Sequence, residues 1–97
     1  MDVFNFIDSN VSRKLLPYIR LVSVYIKDGN ATGICLNRYT DKNIVKKAKK
    51  VGLNQDRMMK NLDKPVKLQN INDIKIEKGE YYLNYDTSTK ELTIYRM

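Results

Sequence analysis

Ala48-Lys49-Lys50-Val51-Gly52-Leu53-Asn54-Gln55-Asp56-Arg57-Met58-Met59-Lys60-Asn61-Leu62 is the stretch on which the fold turns. Upstream of the glycine, Ile44, Val45, Ala48 and Val51 fall on one helical face and Lys42, Lys46, Lys47, Lys49 and Lys50 occupy the rest. Thr40 suits the N-cap, and Asp41 in the first turn favours the positive end of the helix dipole. Gly52 can take the positive φ wanted at a helix C-terminus, and Ala48 lets a neighbour approach closely. Asn54 can cap a second helix running to Leu62, whose Met58 and Leu62 face inward four residues apart. Lys64-Pro65 would end it. The spacing thus predicts two short helices joined by a glycine turn over residues 41–62.

On the N-terminal side, Val3, Phe4, Ile7, Val11 and Leu15 recur at threes and fours and Pro17 follows, which predicts a helix within residues 1–16. Asp8-Ser9-Asn10 is its weak point and could split it into two shorter helical turns. Residues 18–36 read as a β-hairpin about Asp28-Gly29. Its first strand has Ile19 and Leu21 on one face and Val22, Val24 and Ile26 on the other, so coverage on both faces, or an interface, is expected. Residues 71–96 read as strands. Ile71, Ile74 and Ile76 lie in a stretch at 70–78, and Tyr81, Leu83 and Tyr85 then alternate with Tyr82 and Asn84. A polar tip at 86–90 returns the chain to Leu92 and Ile94 on one face and Thr93 and Tyr95 on the other. The expected class is α+β, a small single domain over residues 1–97 with a helix-turn-helix and flanking β-hairpins.

Composition narrows the function. The chain has 97 residues, 42% of them hydrophobic, and a formal net charge of +7 at neutral pH. No apolar run approaches the roughly 20 residues of a membrane span, and no basic segment leads into an apolar one at the N-terminus, so a soluble intracellular protein is expected. One cysteine, Cys35, and no histidine rule out an internal disulfide and the usual zinc sites. Cys35 sits between Ile34 and Leu36 as a small apolar filler. No metal and no cofactor is expected. Heavy use of lysine, asparagine, isoleucine and tyrosine matches A- and T-rich codons, as in a phage, another DNA virus, a mobile element or a low-GC bacterium. The same bias inflates lysine without selection for binding.

The order helix, hairpin, helix, turn, helix, strands resembles the winged helix-turn-helix DNA-binding proteins, on residues 44–62 at motif level and elsewhere by element order alone. The resemblance implies that the helix from Asn54 enters the major groove of double-stranded DNA. There Asn54 and Gln55 would pair with adenine, Lys60 would reach guanine or phosphate, and Arg57 would contact phosphate from the side. Lys42, Lys46, Lys49, Lys50, Lys90 and Arg96 would form the wider electrostatic footprint. A homodimer would set two such helices one DNA turn apart. The function so implied is that of a small transcriptional regulator or accessory factor.

Two other classes compete with this. The face of Tyr82, Asn84, Thr93 and Tyr95 could stack bases of single-stranded nucleic acid. Alternatively, a small viral or phage protein of this kind could bind and inhibit a host or defence protein. An enzyme is not expected, because histidine is missing, the glycines are scattered, and the acidic residues show no paired spacing.

Overall fold

The computed structural model describes residues 1–69 and 78–97. Its elements are the helix α1 (Val3–Asn10), a 3-10 turn (Leu16–Tyr18), the strands β1 (Ile19–Lys27) and β2 (Asn30–Arg38), the helix α2 (Lys42–Lys50), and the strands β3 (Arg57–Lys67), β4 (Glu80–Asp86) and β5 (Glu91–Arg96). The five strands form one antiparallel sheet in the order β3-β2-β1-β4-β5. No helix among the described residues is long and apolar enough to cross a membrane. The expected strand with Ile71, Ile74 and Ile76 lies almost wholly outside the described residues.

The helix-turn-helix is not there, and the C-terminal hairpin expected as its wing is present as β4 and β5 but belongs to the five-stranded sheet. Gly52 does take positive φ, at 100°, directly after α2. Past it, however, Asn54–Leu62 contains no helix; Arg57 onward is β3, paired along β2 with Met58 opposite Leu36 and Lys60 opposite Ile34. A spacing of four, as between Met58 and Leu62, is about one helical turn but also two strand repeats. Tertiary demand breaks the tie. Without β3, the outer backbone groups of β2 would lack partners, and β3 supplies them. Residues 53–56 are held in place by Arg38, whose backbone N–H donates to the Asp56 carbonyl (2.9 Å) and whose guanidinium donates to the Leu53 carbonyl (2.7 Å) and to Asp56 Oδ1 (2.7 Å).

Local chemistry fixes the other ends. Asp2 caps α1 by accepting from the Asn5 N–H (2.9 Å), and the helix ends within the Asp8-Ser9-Asn10 stretch. Asp41, not Thr40, caps α2, accepting from the N–H groups of Asn43 and Ile44. Asp28 and Gly29, at φ 51° and 83°, make the two-residue turn between β1 and β2.

One face of the sheet carries the core. Val3, Phe6 and Ile7 of α1, with Val11, pack on Val22, Val24 and Ile26 of β1, Ile34 of β2 and Leu83 of β4. A register shift between Ile19 and Leu21 turns Ile19 into this core as well, so the buried apolar set of β1 is larger than strict alternation gives. The α2 helix adds Ala48 and is followed by buried Leu53.

Candidate functional site on the open sheet face

Strand alternation sends the remaining side chains to the opposite face, where no helix of the described residues lies. Register places them in rows. Tyr25 of β1 stands beside Tyr82 of β4, which stands beside Tyr95 of β5. The next row runs Met59, Cys35, Ser23, Asn84 and Thr93 across all five strands. A third begins Arg57, Asn37, Leu21 and Asp86.

The tyrosine rings form a ladder. Tyr82 and Tyr95 are stacked, with centroids 4.9 Å apart and planes within 15°. Tyr25 follows at 6.4 Å from Tyr82, tilted by 40°. The first separation nearly equals the spacing of neighbouring strands, so the strand pairing itself sets the stack. Tyr95 is 42% exposed at the end of the ladder.

Beside the ladder is a shallow basin of about 460 Å³. Its floor holds Leu21, Ser23, Asn37 and Asn84, with Tyr25, Tyr82, Arg57 and Met97 around it. The floor is internally bonded: Ser23 Oγ donates to Asn84 Oδ1 (2.7 Å), and Asn37 Nδ2 donates to the Leu21 carbonyl (3.3 Å). Arg57 is solvent-exposed and, like any guanidinium, cationic, and Cys35 first and Tyr25 second raise its pKa further above the ordinary value. Cys35 itself is buried.

Gly33 explains part of the shape. A Cβ there would lie 3.0 Å from Met59 Cε and 3.3 Å from the Lys60 carbonyl, so the missing side chain lets Met59 fold in against β2.

A larger cleft of about 700 Å³ lies between α1, the 3-10 turn and the end of β4, lined by Phe4, Ile7, Leu16, Pro17 and Tyr85 among others. Its charged members, Asp8 and Arg13, are exposed, and its remaining lining is mostly the apolar flank of the core. The smaller basin is the stronger candidate because a cation, aromatic side chains and the side-chain amides of Asn37 and Asn84 converge on it. Among the described residues, no cluster of three or more His, Cys, Asp or Glu could hold a metal ion.

The residues expected to bind nucleic acid do not form one surface. Lys42, Lys46, Lys49 and Lys50 are exposed on α2, and Asn54 and Gln55 are exposed in the loop after it. Arg57 lies on the open face, whereas Lys60 pairs with Ile34 and so belongs to the opposite side of the sheet. Lys90 is in the β4–β5 turn, and Arg96 pairs with Tyr81, a core-side residue. Tyr82, Asn84, Thr93 and Tyr95 do share a face. Sequence reasoning missed Ser23, Tyr25 and Asn37, although Ser23 and Tyr25 stand at every second position of β1, between the apolar residues of the core set.

No family model matches the chain, and no curated protein or solved structure is significantly similar to it.

Proposed function

We propose, with no relative to argue from, that this chain is a small basic binding protein for single-stranded nucleic acid, with the open sheet face as its platform. The observation that carries the reading is the Tyr25, Tyr82 and Tyr95 ladder beside the cationic Arg57, on the sheet face where no helix among the described residues lies. Tyr95, the exposed end of the ladder, offers a π-face to any base, Arg57 can pair with a phosphate or stack on a base, and a net charge of +7 attracts a polyanion. Size argues against a duplex groove: five strands at about 4.8 Å spacing are about 19 Å across, wider than a major groove of roughly 12 Å. The chain acts as an accessory factor through binding and is not an enzyme. With no recognition helix, the case for a dimer built to space two of them falls away.

The test is fluorescence anisotropy of labelled oligo-dT, oligo-U and a random duplex at several salt concentrations. Single strands should bind more tightly than duplex, and Tyr82→Ala and Tyr95→Ala should each weaken single-strand binding about 5- to 150-fold, the equivalent of about 1–3 kcal/mol per stacked base. Duplex binding that survives both substitutions would overturn the reading.

Exposed Met59, Tyr95 and Met97 favour a second reading, in which the same face docks on a protein, as an inhibitor of a host or defence factor would. Its mark would be a complex nearly indifferent to salt and lost on Met59→Lys.

A further inference from the structure

We infer that the open sheet face also seats a second copy of this chain, packed face to face about a two-fold axis that runs along β1. The end row of this face is positive on one side and negative on the other: Arg57 stands on β3, Glu91 stands on β5 beside Asp86, and Asn37 and Leu21 lie between. The strand order puts β1 in the middle, so Arg57 and Glu91 lie two strands to either side of it. A two-fold axis along β1 exchanges those sides and keeps each row at its own height. Arg57 of one copy then faces Glu91 of the other, and the pair occurs twice. Both side chains are exposed, and among the described residues neither forms an ion pair within its own chain.

The other rows agree with this axis. Leu21, Ser23 and Tyr25 of β1 fall on it and meet their own copies without charge. Lys27 falls there too, and Glu80 stands beside it on β4 to offset the meeting of like charges. An axis laid across the strands would instead set Arg57 against Lys67 and Asp86 against Glu80, both repulsive. Met59, Tyr95 and Met97, 53%, 42% and 66% exposed, supply apolar surface for a partner to cover. Packed sheets lie about 10 Å apart, a gap that an arginine and a glutamate can bridge from opposite sides. Five strands and four rows give a footprint of about 400 Å² per copy, below the roughly 800 Å² per partner of a standard interface, so the dimer is weak and reversible. The inference does not rest on the single-strand reading: a second copy and a nucleic acid would compete for the face, and strands would bind the monomer.

The experiment is sedimentation velocity of the whole chain, without nucleic acid, over a concentration series. The protein should pass from monomer to dimer between about 10 μM and 1 mM. Arg57→Glu and Glu91→Lys should each raise the dissociation constant at least about 10-fold, because each sets two like-charged pairs face to face. Net charge alone would move these two variants in opposite directions, since one makes the chain less basic and the other more so. The double variant carrying both substitutions restores opposite charges in the reverse sense and should return the constant to within about 3-fold of the intact protein. That rescue also shows that the single variants lost a contact and not the fold. A protein that stays monomeric throughout, a dimer indifferent to both reversals, or single variants that the double does not rescue would overturn the face-to-face dimer while sparing the single-strand platform.

Discussion

Arg38 and Asp56 form an ion pair of 2.7 Å whose two ends live in different media: the Arg38 side chain is 7% exposed and that of Asp56 72%. Water screens the carboxylate, so the charge attraction contributes little, whereas the buried guanidinium also satisfies the Leu53 carbonyl. Asp56→Asn should therefore cost less than about 1 kcal/mol. Arg38→Ala should cost about 2–4 kcal/mol, by stranding that carbonyl and opening a cavity between α2 and β3. Urea denaturation midpoints of the two variants check this, and equal losses would contradict it. At this scale the sequence was least legible: an arginine in a strand and an aspartate 18 residues later gave no sign of joining a loop to a sheet.

At the scale of the element, the β4–β5 turn is built by Asp86, whose Oδ1 accepts from Ser88 Oγ (2.7 Å) and from the N–H groups of Ser88 (2.9 Å) and Thr89 (3.1 Å). These bonds, Ser88's hydroxyl foremost, hold the Asp86 carboxyl below its ordinary pKa, with a smaller contribution from Arg20. An aspartate in the unfolded chain titrates near about 3.9, so the turn's extra stability is fully present above that value and is lost as pH falls through the lower folded pKa. The protection factors of the Ser88 and Thr89 amides, their exchange rates taken relative to unstructured amides at the same pH, should fall below about pH 4, and Asp86→Asn should remove that fall. Amide exchange followed by NMR across the acid range checks it. The polar tip at 86–90 was legible because Asx-type turns are made by neighbours in sequence. The stretch from Asn54 to Leu62 was not, since its apolar spacing serves helix and strand equally and only the pairing with β2 chooses between them.

For the whole molecule, charge is the long-range term. Lys46, Lys49 and Lys50 are exposed on α2, near the end of the sheet where β2 finishes and β3 begins. Replacing all three with glutamine should leave the fold intact, because only Ala48 of that helix is fully buried. If a bound strand runs onto α2, the triple variant should lower the slope of log affinity against log salt by about 2, at about 0.7 per phosphate contact. Salt titrations of the two proteins check this, and an unchanged slope would confine the phosphate contacts to the sheet. By itself the sequence determined what is local or summed: the charge, the Asp28-Gly29 turn, the glycine after α2, and the alternation that put Tyr82, Asn84, Thr93 and Tyr95 on one face. Only the tertiary structure decided that residues 57–67 are a strand, that Arg38 is buried, and that Ser23, Tyr25 and Arg57 join that face. The order β3-β2-β1-β4-β5 sets β1 between strands from distant parts of the chain, and hydrogen-bond pairing across such separations leaves no periodicity for a sequence to display.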